Sequence, residues 1–180
     1  RVLPNLLARP MQRTVNREDC PAAQAWCSGG GDEAVQHPFF AGFLEVAKKN
    51  GWVFDWKYEL SQPEREVYKL TITENANIIQ GLVSLEIKLD HVYMHLVESA
   101  PFNKGKEKVY SGVPGNLVAF ACRLSFQRGF EGNVSFISKT QLINHYTETL
   151  GAFHAGGRIM IIETAAALRL MNKYFKNIGL

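Results

Sequence analysis

The sequence predicts a mixed α/β (α+β) domain, and three observations carry that expectation. Four β-prone segments follow one another between Trp52 and Ser99, helical and strand-like segments alternate from Gly115 onward, and the helical ones repeat their apolar residues at the 3.6-residue period. The simplest architecture is a mostly antiparallel mixed sheet flanked by helices, with an α/β layer built onto a meander.

Residues 1–37 contain Pro4, Pro10, Pro21 and a run of glycines from Gly29, with no sustained period. They read as a poorly ordered N-terminal arm ahead of a domain over 38–180. "HPFFAGFLEVAKKNG" starts a helix at Pro38 and stops it at Gly51, with Phe39, Phe40, Phe43, Leu44 and Ala47 on one apolar face. Strand character follows over 52–60, 66–73, 77–89 and 91–99. The breaks are "SQP", "ENAN" and "LDH", the last short enough for a tight hairpin. In the first strand Trp52, Phe54, Trp56 and Tyr58 share one parity, and that aromatic face calls for a cover: the helix over 38–50, or a partner subunit in a homodimer. After a Gly- and Lys-rich loop come a helix over 115–128, a strand over 133–137, a helix over 140–150, a strand over 157–162 and a closing helix over 164–175. Gly129 and Gly151 stand just past two of the helix ends.

The chain is 46% hydrophobic and 21% charged, values of a folded domain, and its 180 residues suffice to bury a core. Twenty Lys and Arg against 17 Asp and Glu leave a net charge of +3 with no long basic run, so nucleic acid is not indicated as a partner. Lys104, Lys106 and Lys108 form the densest basic cluster and read as a solvated loop. The three cysteines, Cys20, Cys27 and Cys122, are an odd number without zinc-ligand spacing; neither a disulfide framework nor a metal site is expected, and the cytoplasm is the expected compartment. No apolar run approaches the roughly 18 residues of a membrane span, so no membrane association is expected. "RVLPNLLARP" is too short and too interrupted by proline for a signal peptide.

Chemistry concentrates in "YSGVPGNLVAFACRLSF", residues 110–126. A loop entering a helix exposes unpaired backbone N–H groups at the positive end of the helix dipole, a natural anion site. Gly112 and Gly115 keep side chains out of the way, Pro114 stiffens the turn, and Leu117, Phe120, Ala121 and Leu124 plant the helix in the core. One strand later lies "LINHYTETLGA", residues 142–152.

Together, "GVPGNLVAFACRLSFQRGF", "NVSFISK" and "HYTETLGA" resemble, in order and spacing, the GCN5-related N-acetyltransferase (GNAT) superfamily, the likeness covering about residues 77–160. The turn carries Tyr110 and Val113 where that family's pattern has Gln or Arg and then Gly. The resemblance implies a sheet splayed at an acetyl-CoA site and direct transfer of an acetyl group from acetyl-CoA, the co-substrate, to an amine acceptor. By the same resemblance Leu96, Val97 and Glu98 line the cofactor, Val113, Gly115, Asn116 and Leu117 face its phosphates, and Tyr146 is the acid that protonates the departing thiolate. Tyr146 also shares a helical face with Leu142, Ile143 and Leu150, where a tyrosine can simply pack.

For the base, Glu98 lies near the end of the strand expected beside the acetyl group, where shielding would raise its pKa; Glu86 on the neighbouring strand and a water are the alternatives. His91 and His95 are read onto one strand face, as surface or acceptor-groove residues, and Cys122 as a buried structural thiol. Small amines, antibiotics, peptide N-termini, lysines and aminoacyl-tRNA all remain open as acceptors. The competing reading is a non-catalytic interaction module that keeps the fold and binds a protein partner through its sheet edge or aromatic face.

Overall fold

Residues 51–72 and 75–175 are described in the computed structural model. The arm over 1–37 and the helix expected over 38–50 lie outside the described residues.

Asp55 shapes the first element. Its Oδ1 accepts from the Tyr58 amide at 3.1 Å, satisfying a donor that a helix start leaves over, and Trp56–Ser61 forms a short helix, α1. The strand expected over 52–60 is therefore replaced by a helical turn, and packing explains why. Trp52 and Trp56, four residues apart, meet edge to face at 6.5 Å and both bury against Val67, Ile79, Leu82 and Ala100. Strand parity would have placed Tyr58 beside them, yet Tyr58 is exposed. The tryptophans find their cover in the chain's own sheet.

That sheet has six strands in the order β1-β2-β3-β4-β6-β5: Arg65–Ile72, Asn75–Ile87, Val92–Ser99, Val134–Ile137, Ile159–Ile162 and, at the edge, β5 at Phe153–Gly156. β3 and β4 run parallel, and every other neighbouring pair is antiparallel. Three further helices follow α1: α2 at Val113–Gln127, α3 at Ile143–Leu150 and α4 at Thr164–Tyr174. The last three of the four strands of the expected meander are present, as is the alternating second half. β5 is an addition; all four of its residues are exposed, so it lacks the alternation by which half-buried strands are read. The chain turns back at Gly156 and Gly157, so the strand expected over 157–162 begins at Ile159.

Pairing assigns side chains to faces, because neighbours opposite each other in register share one. Val92, Val134 and Ile162 form one cross-sheet row, and Met94, Phe136 and Met160 the next; both are buried in the main core with Val83 and Leu85. The apolar stripes of α2 and α4 cover this face, with Leu117, Ala121, Ala167 and Leu170 all buried. The opposite face carries the row Arg65, Glu86, Tyr93, Ser135, Ile161 and Phe153. Between β2 and β3 the register slips: Ser84 pairs with Leu96 but Leu85 with Met94, so His95 is the extra residue of a β-bulge.

Where α2 begins, it lies directly on β2 at Gly81. A Cβ there would stand 2.7 Å from Val113 Cγ1, 2.9 Å from the Glu98 carbonyl oxygen and 2.9 Å from Leu117 Cδ1, and the carbonyl cannot step aside. Gly81→Ala is therefore expected to destabilise the fold by about 1–3 kcal/mol, as overpacking does. Urea denaturation measures it, and a variant as stable as the parent would mean that α2 sits less tightly than described.

Candidate active site

β3 and β4 stay paired only from Val92–Val134 to Met94–Phe136. β3 then runs on along β2 to Ser99, while β4 stays with β6 through Ile137. The strands part, and the β4-facing edge of β3 beyond Met94 is left without a strand partner among the described residues. Such an edge offers alternating N–H and C=O groups to an extended ligand. Leu96, Val97 and Glu98 all lie on this stretch. Leu96 packs toward the tryptophan cluster and Val97 toward the main core, so their backbone, rather than their side chains, is what the opening can use.

A loop leads from β3 to α2. Asn103, buried, fastens it: its Nδ2 donates to the Gln80 side chain at 3.0 Å and its Oδ1 accepts from the Tyr110 amide at 3.0 Å. Gly112 caps α2 in the left-handed conformation, and the Asn116 amide donates back to the Gly112 carbonyl at 2.9 Å. The amides of Gly112, Val113 and Gly115 precede that first intrahelical bond, and Pro114 has none to offer. The expected phosphate-facing set thus divides. Val113 and Gly115 present N–H groups at the positive end of a 15-residue helix. Asn116 and Leu117 have their amides inside the helix, and the Leu117 side chain is wholly in the core. Among the described residues the buried Asn116 Oδ1 has no hydrogen-bond partner. Gly115 has a further reason to be glycine: a Cβ there would collide with the Tyr174 hydroxyl and ring from the end of α4.

Glu98 was expected as a base with a raised pKa, and its surroundings reverse that. Its Oε1 accepts from the Val53 amide at 2.7 Å and from Lys104 Nζ at 2.6 Å; its Oε2 accepts from Trp56 Nε1 at 2.8 Å and the Phe54 amide at 3.3 Å. Burial pushes the carboxyl up, but the bonds from Lys104, Val53, Trp56 and Phe54 outweigh it and hold Glu98 below the usual carboxylate value. Its lone pairs are committed to fastening the chain around Trp56 and the loop at Lys104 onto β3.

Tyr146, on α3, stands edge-on to Phe136 with ring centroids 5.3 Å apart, beside the last residue of β4 that pairs with β3. Burial raises its phenol above the ordinary value, so it stays protonated at neutral pH, as an acid must. On the other face, His95 Nε2 lies 2.8 Å from Glu86 Oε2. Lys88 also contacts Glu86; its hydrogen bond and the one from His95 outweigh burial and hold the Glu86 carboxyl low. His91 sits instead in the β2–β3 turn against Asp90. Cys122 is wholly buried, its thiol pushed up to about 12. Among the described residues no group of three or more His, Cys, Asp or Glu is placed to hold a metal ion, and no helix is long and apolar enough to cross a membrane.

No protein-family model matches the sequence, and no curated protein matches it. Solved structures do. The spermidine/spermine N-acetyltransferase SpeG from Vibrio cholerae, in mutant form, aligns with a TM-score of 0.49 and 17% identity over 72% of this chain and 90% of its own. AtaTR bound with acetyl-CoA gives 0.45 and 14% over 79% and 87%, and Tetrahymena GCN5 gives 0.41 and 6% over 74% and 91%. In fold, the chain is similar to these structures. Function has to come from the site.

The commitments of Glu98 generate a prediction. A carboxyl whose pKa is lowered by folding adds stability that is complete above its unfolded value and disappears as pH falls through the folded one. Glu98→Gln should cost roughly 1.5–3 kcal/mol at pH 7. In thermal melts, the gap between parent and variant should narrow as the pH drops below about 4, the ordinary carboxylate range. A gap that is constant across pH would mean that the Glu98 charge does not matter to the fold.

Proposed function

We propose that the chain is an acyl-CoA-dependent N-acyltransferase that moves an acetyl group from acetyl-CoA to an amine. The observation that carries this reading is the parting of β3 from β4 after Met94–Phe136, which leaves an unpaired strand edge leading to the amides of α2. Pantetheine is an extended arm with two amides, and the edge of β3 at Leu96, Val97 and Glu98 can pair with them as with another strand. The pyrophosphate then falls to the Val113 and Gly115 amides, where the helix dipole adds about half a positive charge. The resemblance of residues 77–160 to the acetyltransferase superfamily supports the same assignment.

In the reaction, the amine nitrogen attacks the thioester carbon, the C–S bond breaks, and the thiolate needs a proton. Tyr146 is assigned that role, since its half-buried phenol is protonated at neutral pH and its ring packs on Phe136, at the rung where β3 and β4 part.

A second reading, a partner-binding module, draws on one feature. Ile137, Ile159 and Phe153 are exposed large apolar residues on one face, on the last three strands of the sheet, β4, β6 and the edge strand β5. Cofactor binding separates the two.

Acetyl-CoA and CoA should each stabilise the chain, by about 2.7 kcal/mol at a hundred times the dissociation constant, read as a thermal shift. No shift at millimolar cofactor would leave the enzyme reading without support. Tyr146→Phe should retain the shift and lower kcat by about 10²-fold or more; full turnover in that variant would remove Tyr146 from the mechanism.

A further inference from the structure

With Glu98 committed to four donors, the proton of the acceptor ammonium needs another destination. We propose that His95, oriented by Glu86, takes it. The inference rests on the acetyl-transfer reading and adds a residue and a position to it.

Three features of the fold converge on His95. First, it is the extra residue of the β2–β3 bulge, so it escapes the alternation of its strand. Met94 before it belongs to the main core, and Leu96 after it packs toward the tryptophan cluster. Bulges re-aim a side chain, and this one stands immediately beyond Met94, where pairing with β4 ends. Second, the imidazole has a fixed partner. Nε2 is 2.8 Å from Glu86 Oε2, and both side chains are mostly but not wholly buried, at 17% and 14% exposure. Against an ionised Glu86, Nε2 carries the proton and donates, which leaves Nδ1 as the acceptor. Third, the ring is braced: Tyr93 meets it at 4.6 Å, and Lys88 lies 5.9 Å above the Tyr93 ring.

The charged groups around the pair act on Glu86 and keep it ionised. Lys88, just past the end of β2, contacts Glu86, and Arg65 on β1 stands opposite Glu86 in register. Arg65 is itself paired with Glu59 of α1 at 2.8 Å, and Glu59 also accepts from Ser84 at 2.6 Å. Glu98, further along β3, is bound to Lys104. His95 therefore faces an anion with its own counter-ions, which holds the ring through Nε2, and among the described residues Nδ1 has no hydrogen-bond partner.

Position gives the pair its place in the reaction. Phe136, the partner of Met94 in the last rung, packs on Tyr146 from the core side. Tyr146, packed against the core face, and the His95–Glu86 pair on the other thus lie on opposite faces of the sheet, next to the rung where β3 and β4 part. The protons then balance. One leaves the ammonium nitrogen for His95 Nδ1 and passes to solvent; the freed lone pair attacks the thioester carbon. As the C–S bond breaks, Tyr146 gives its proton to sulfur and is reprotonated, through water, by the second proton lost from the former amine. The products are an amide, the free thiol and one proton in solution. Glu86 acts through His95 and is a positioning residue.

The test uses the full chain, acetyl-CoA and n-butylamine as probe acceptor, with thiol release followed across pH and CoA binding read by thermal shift. His95→Gln should keep the parent's CoA-induced shift, lose about 10²- to 10⁴-fold in kcat/KM, and lose the acidic limb of the pH profile that a titrating base produces. Glu86→Gln, which leaves the imidazole in place, should lose less and displace that limb. His95→Gln turning over within threefold of the parent, with the same pH profile, overturns the proposal while leaving acetyl transfer intact; so does a Glu86→Gln profile identical to the parent's. A parent chain that neither binds CoA nor releases thiol overturns both readings.

Discussion

Met94 and Phe136 form the last rung between β3 and β4, and what the rest of the molecule does with that rung depends on each strand keeping one other partner. Backbone N–H and C=O groups left buried and unpaired cost about 1–3 kcal/mol each. β3 avoids most of that cost because β2 pairs it on one side as far as Ser99; β4 avoids it because β6 pairs it through Ile137. Only the facing edges are released. The opening is a place where a sheet stops on one side, and such an edge offers its N–H and C=O groups to an extended ligand.

Two faces meet at that rung and carry different chemistry. Toward α2 and α4 the sheet is apolar, with Met94, Phe136 and Met160 in one buried row. Burying a side chain of that size contributes about 1.5–3 kcal/mol, so the row fixes the position of Tyr146 through Phe136. Toward the other face lie Arg65, Glu86 and Tyr93 in register, and the bulge delivers His95 to the same neighbourhood. Glu98 belongs to this second face as a fastener. Four donors converge on it from Val53, Phe54, Trp56 and Lys104, and they convert a residue of catalytic type into one that holds the wall of the opening still.

The glycine turn illustrates how a sequence signal can be right about place and incomplete about cause. Gly112 and Gly115 mark the start of α2, and the helix begins there because Gly112 adopts the left-handed cap and Pro114 fits the first turn. What occupies the space beside Gly115 is the ring of Tyr174, from a helix about sixty residues away. No local pattern announces such a contact. The same holds for Trp56, whose place in a strand-like alternation gave way to the Asp55 cap and to burial against Trp52.

From the sequence alone came the class of fold, the order of β1 to β4 with α2 between β3 and β4, the helices α3 and α4, and the turn at Gly112. These follow from residue periodicity and from turn and cap chemistry, which act over a few positions. Tertiary structure decided the strand order, the rung at which β3 and β4 part, the bulge at His95, the edge strand β5 and the pairing of His95 with Glu86. It also decided that Glu98 is an anchor, because a carboxylate's role is set by which donors fold around it, and here they come from residues up to 45 positions away.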